Sequence, residues 1–110
     1  MTEQKKIERI SSHYGYDAQS RQCIEEMAEL TQALNKFWRK QLECGKKSIN
    51  NVPFGTIEEN NVEDELADVQ IMIWQMLELH KISEIDFRNS IRRKIDRQIK
   101  RIEEEQDEVN

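Results

Sequence analysis

Apolar positions divide this chain into stretches of helical spacing separated by one long break. Ile7, Ile10 and Tyr14 follow i, i+3, i+7, and Gly15 is a C′ stop, which predicts a short helix over 3–14. Asp17 is placed to cap a second helix from Ala18 to about Gln41, with Cys23, Met27, Leu30, Leu34 and Phe37 as its stripe. Between Glu43 and Asn61 the periodicity is lost among Gly45, Asn50, Asn51, Pro53, Gly55, Asn60 and Asn61, so residues 43–61 read as a loop insertion. A third helix is expected from Val62 to about His80, capped by Asn61, with Leu66, Val69, Ile73 and Met76 toward the core. Ser83 caps a fourth, with Asp86 at the favourable third position and an isoleucine stripe of Ile91, Ile95, Ile99 and Ile102. Its acidic end, residues 104–110, opposes the helix macrodipole and is expected to fray.

These elements predict an all-α fold, one domain over 1–110 with four helices arranged as a bundle. The segment Val69–Leu77 is apolar nearly all the way round, with only Gln70 and Gln75 as polar members. Such a helix has to be covered on every side, which three neighbours from a short chain do not achieve. A homodimer or a dimer of dimers follows as the expectation. One proline, three glycines and 35% charged residues fit a helical chain with few breaks. The net charge of −5 argues against generic binding to nucleic acid. No apolar run reaches the ~18 residues of a membrane span. The opening residues carry no signal-peptide core, and Cys23 and Cys44 lack metal-type spacing. A cytoplasmic protein is expected.

The candidate chemistry lies in two acidic motifs, EEMAEL at 25–30 and EDELAD at 63–68. Glu26 with Glu29, and Glu65 with Asp68, stand three residues apart, one turn along the same side of a helix. Like charges there repel. An isolated pair is ordinarily a solvated acidic face, but two pairs bordering two apolar stripes suggest a shared cation, and hard oxygen ligands select Mg²⁺ or Mn²⁺. On helix four Lys94, Arg97 and Arg101 form a basic row. By themselves they are ordinary surface charges; opposite a metal cluster they become candidate phosphate ligands, with Lys36 a weaker candidate. A di-iron centre is disfavoured because neither His13 nor His80 follows a glutamate by three residues. No nucleophile elbow, Walker loop or dinucleotide fingerprint is present.

The order EExxE, then ExxD on a later helix, then the basic KIDRQIKRIEE stretch resembles the MazG-like, all-α nucleoside triphosphate pyrophosphohydrolases, relatives of dimeric dUTPases and dCTP pyrophosphatases. The resemblance spans roughly residues 18–103. Thirty-five residues separate Glu29 from Glu65, more than is usual in that family, with the excess in the 43–61 segment. It implies a four-helix MazG-like bundle and Mg²⁺-dependent cleavage of a nucleoside triphosphate between its α and β phosphates. Glu26, Glu29, Glu65 and Asp68 would then hold Mg²⁺, and Glu25 and Glu26 would serve catalysis, Glu25 either by supporting the metal ligands from behind or by helping to orient the attacking water. Lys94, Arg97, Arg101 and Lys36 would meet phosphate. The rivals are a related phosphohydrolase of another di- or triphosphate, such as phosphoribosyl-ATP, and a non-enzymatic helical adaptor.

Overall fold

The structure, a computed structural model, describes residues 1–43 and 57–109, apart from the side chains of 57–60 and 109. These residues form three helices and no strand: α1 (Glu3–Glu43), α2 (Ile57–Leu79) and α3 (Glu84–Val109). The all-α class expected from the sequence is the class observed. The chain divides into two compact units, Met1–Leu79 and His80–Asn110.

In the first unit, α1 opens at Thr2, whose hydroxyl accepts a hydrogen bond from the Lys5 amide at 3.1 Å, an N-cap that the sequence reading lacked. Gly15 breaks the helical geometry where expected, at φ 84° and ψ 173°. No connecting loop follows: the helix resumes at once, so the two predicted helices form one kinked run and Asp17 lies inside it rather than at a start. An L-residue at position 15 would be strained by its backbone alone, because nothing lies within 4 Å of where a Cβ would stand.

α1 pairs with α2, and the pairing can be read from two contacts. Gln19 Nε2 donates to Gln75 Oε1 at 2.7 Å, and ten residues onward in α1 and ten back in α2 a carboxylate oxygen of Glu29 lies within 4.8 Å of one from Glu65. Equal advances in opposite directions make an antiparallel pair held in register over about 15 Å. Among the described side chains of α2 Gln75 is the most enclosed, at 2% exposure, and its amide also donates to the Met72 thioether at 3.6 Å.

The buried line of each helix is rotated from the expected stripe. On α1 it runs through Gln19, Cys23, Glu26, Leu30, Ala33, Phe37 and Gln41, while Met27 and Leu34 are about half exposed. On α2 it runs through Glu65, Val69, Met72 and Met76, while Leu66 is exposed. Both corrections turn the helix toward its carboxylates, by about 35° and about 50° at 100° per residue. The cause is a second apolar row on each helix: averaging two rows displaces the apparent centre. Likewise Val69–Leu77 is not enclosed all round within the chain, since Ile71 and Trp74 remain about 40% exposed and polar Gln75 is enclosed instead.

Most of the 43–61 insertion lies outside the described residues, but its last five positions belong to α2. Asn61 is therefore helical rather than a cap, as a residue only a few tenths of a kcal/mol less helix-favouring than its neighbours allows. In the second unit Ser83 caps α3 as expected, its hydroxyl accepting from the Asp86 amide at 3.1 Å. α3 runs as helix through Val109, where glutamate's good helix propensity offsets its opposition to the dipole. The isoleucine stripe of α3 is 42–55% exposed.

Because the buried Gln19 amide donates to the buried Gln75 carbonyl, removing one leaves the other without its partner. Gln75→Leu is expected to lower stability by about 1–3 kcal/mol, and Gln19→Leu together with Gln75→Leu to recover most of that loss. Denaturant titrations of the four proteins at one fixed concentration check this. Additive losses in the double variant would show that the two amides act independently.

Candidate metal centre

Antiparallel register brings EEMAEL on α1 beside EDELAD on α2. Glu26, Glu29 and Glu65 each place a carboxylate oxygen within 4.8 Å of the other two. Glu26 and Glu65 are half-buried on the interhelical line, while Glu29 is exposed at its edge. Gln22, one turn before Glu26, donates to Glu26 Oε1 at 2.8 Å. The remaining oxygens, Glu26 Oε2 and Glu65 Oε2, are shut from solvent without a hydrogen-bond partner. Buried carboxylate oxygens in a folded chain nearly always have a partner.

Of the residues proposed from sequence, the fold therefore brings three together. Asp68 is exposed and lies outside that set; Glu25 is exposed as well. Lys36 lines an open groove of about 270 Å³ with Glu29, Gln32, Ala33, Asn61, Asp64 and Glu65, and makes no ion pair among the described residues. Lys94, Arg97 and Arg101 lie along α3 in the second unit, all exposed. Sequence reasoning overlooked Gln22, Gln32 and Asp64. Gln22 was within reach of the i, i+4 rule relative to Glu26; the other two carry no signal until α1 and α2 are paired.

Repulsion governs the titration here. The Glu29 carboxyl is held above its ordinary value of 4.5, first by the charge of Glu26, then by a hydrogen bond shared with Glu26, partial desolvation, and the charges of Glu65 and Glu25. A proton on Glu29 relieves the cluster; so would a cation. The donor set is wholly carboxylate, which suits a hard divalent ion, and the two orphaned oxygens are what such an ion would satisfy. Among the described residues Cys23 is a buried free thiol, and no helix is long and apolar enough to cross a membrane.

No protein-family model matches this chain, nor does any curated protein or solved structure.

A carboxyl whose pKa is raised by folding makes the folded state bind the extra proton. Its contribution to stability is complete below the ordinary 4.5 and is lost as pH rises through the raised value. Melting curves of the metal-free protein should accordingly show a Tm that falls as pH rises from about 4 toward 7. Glu29→Gln should flatten that slope and raise the Tm at neutral pH, whereas Asp68→Asn should leave both nearly unchanged. An unaltered slope in Glu29→Gln would remove Glu29 from the repulsive cluster.

Proposed function

We propose that the protein is a Mg²⁺-dependent nucleoside triphosphate pyrophosphohydrolase, with Mn²⁺ an alternative metal. The observation that carries this reading is the convergence of Glu26, Glu29 and Glu65 from two helices, with two of their oxygens buried and unpartnered. The resemblance of the EExxE and ExxD motifs to MazG-like enzymes supplies the reaction. Glu26, Glu29 and Glu65 would hold the metal, and Asp68, one turn beyond Glu65, would complete the set.

A bound divalent ion supplies Lewis-acid stabilisation of phosphate charge and a more acidic water. The chain's own groups do the rest. The carboxylates would repel a polyphosphate unless a cation were already bound among them. Glu25, exposed beside the cluster, would accept a proton from the attacking water. Lys36 places a mobile positive charge on the wall of the groove, suited to a phosphate oxygen. The groove is slightly smaller than the ~300–1,000 Å³ usual for small-molecule sites, so it suits the polyphosphate rather than a whole nucleotide. Lys94, Arg97 and Arg101 enter this proposal as phosphate ligands on the sequence resemblance alone. The four-helix assembly, as a homodimer or a dimer of dimers in the cytoplasm, belongs to the same proposal.

The adaptor reading keeps one observation in its favour: α3 is exposed along nearly its whole length, with an uncovered apolar stripe. A thermal-shift screen separates the two, because an adaptor gains no metal-dependent stabilisation from nucleotides.

Incubated with mixed ribo- and deoxyribonucleoside triphosphates and Mg²⁺, the protein should release pyrophosphate and a monophosphate. Lys36→Ala should lower kcat by about 10²-fold with metal affinity unchanged, the effect of losing one charge-stabilising group. Lys94→Ala should likewise weaken turnover more than metal binding. Orthophosphate as the first product would overturn the assignment of the cleaved bond.

A further inference from the structure

Gln22 donates from Nε2 to Glu26 Oε1 at 2.8 Å, while the other oxygen of the same carboxylate, Oε2, is shut from solvent without a partner. The fold thus treats the two halves of one group differently. Gln22 and Glu26 are both half-buried, so bulk water has limited access to the bond between them. An ionised carboxylate offers acceptors alone, so the nitrogen of the amide has to face it and the amide oxygen has to face away.

Local geometry explains why this bond forms. Residues at i and i+4 share one face of a helix, and side chains lean toward its N-terminal end. Glu26 therefore lies back over the turn that carries Gln22. Glu29 stands three residues the other way, with a carboxylate oxygen within 4.8 Å of one from Glu26. A donor on the N-terminal side and a like charge on the C-terminal side act on Glu26 together. Without the amide, its carboxylate would turn about a last side-chain torsion that is broad and two-fold.

The chemistry of the donor matters as much as its position. A lysine or arginine at position 22 would reach the same oxygen, but its charge would cancel part of the attraction the three acids have for a cation. Arg21, the adjacent residue, is exposed, stands about 140° round the helix from Glu26 and makes no ion pair among the described residues. The position that faces the carboxylate holds a neutral amide. It orients without neutralising.

We propose that Gln22 is the positioning residue of the metal centre: it ties down Glu26 Oε1 so that Oε2 is presented, already oriented, to a divalent cation shared with Glu29 and Glu65. This role rests on the reading of those three acids as metal ligands, and adds to it a residue that touches neither metal nor substrate.

Calorimetric titration of the full chain with Mn²⁺, below its melting temperature, reads the affinity without turnover. Gln22→Met keeps the length and helix propensity but has no donor. Mn²⁺ should then bind on the order of 10–100-fold more weakly, the usual effect of losing a hydrogen bond behind a metal ligand. Gln22→Lys keeps a donor and adds a charge. Its metal-free Tm should rise, because the ammonium relieves repulsion among the acids, while its Mn²⁺ affinity falls. A residue with only a structural role would move stability alone, or stability and affinity in the same direction. Glu29→Gln, which removes a proposed ligand, tests the metal reading separately and should weaken Mn²⁺ binding with Gln22 in place. Unchanged or tighter Mn²⁺ binding in Gln22→Met, or wild-type affinity in Gln22→Lys, would overturn the role of Gln22 and leave the centre standing. Failure of the wild-type chain to bind Mn²⁺ at millimolar concentration, or full affinity in Glu29→Gln, would overturn the metal reading and this role with it.

Discussion

A hydrogen bond between two amide side chains, Gln19 and Gln75, sets the position of nearly everything else in the first unit. Apolar contact between two helices is tolerant of sliding, since one leucine packs much like another. A buried amide is not, because a slip of one turn would leave the Gln19 donor and the Gln75 acceptor dry and unpaired. The 2.7 Å bond therefore selects one register out of several that the apolar rows would accept. Ten residues away, that register is what sets Glu29 against Glu65. The polar pair that is least favourable to bury determines where the charged pair meets.

The carboxylates are thus driven together by contacts elsewhere rather than by attraction of their own. Three acids converge, one has its proton affinity raised by the others, and two oxygens are enclosed without a partner. Such a cluster is a local instability held in place by the surrounding helix pair. Gln22 answers only one oxygen of Glu26.

How far the sequence foretold this differs from residue to residue. Helix type, the break at Gly15 and the Ser83 cap were legible because each has a local cause: periodicity, a missing Cβ, a hydroxyl three residues before an amide. Glu26, Glu29 and Glu65 were legible as candidates because like charges one turn apart demand a reason. The rotation of each helix was not, since two apolar rows on one helix cannot be ranked until a partner covers one of them. Gln75 was read as an exception in an apolar run, when its value lies in Gln19, fifty-six residues away. Asp64 and Gln32 became groove residues only through pairing.

Gly15 is a question of handedness. Its torsions, φ 84° and ψ 173°, are the mirror image of an ordinary extended conformation, the one a D-amino acid adopts at rest. Open space surrounds the position where a side chain would project, so packing raises no objection to a larger residue. Stereochemistry alone does. Among the genetically encoded amino acids only the achiral one fits without strain, while chemical synthesis with D-alanine at this position would keep the kink and leave the unfolded chain fewer conformations to explore. The bend in α1 is a site where the ribosome's restriction to one hand, rather than the shape of the protein, limits which residue can stand there.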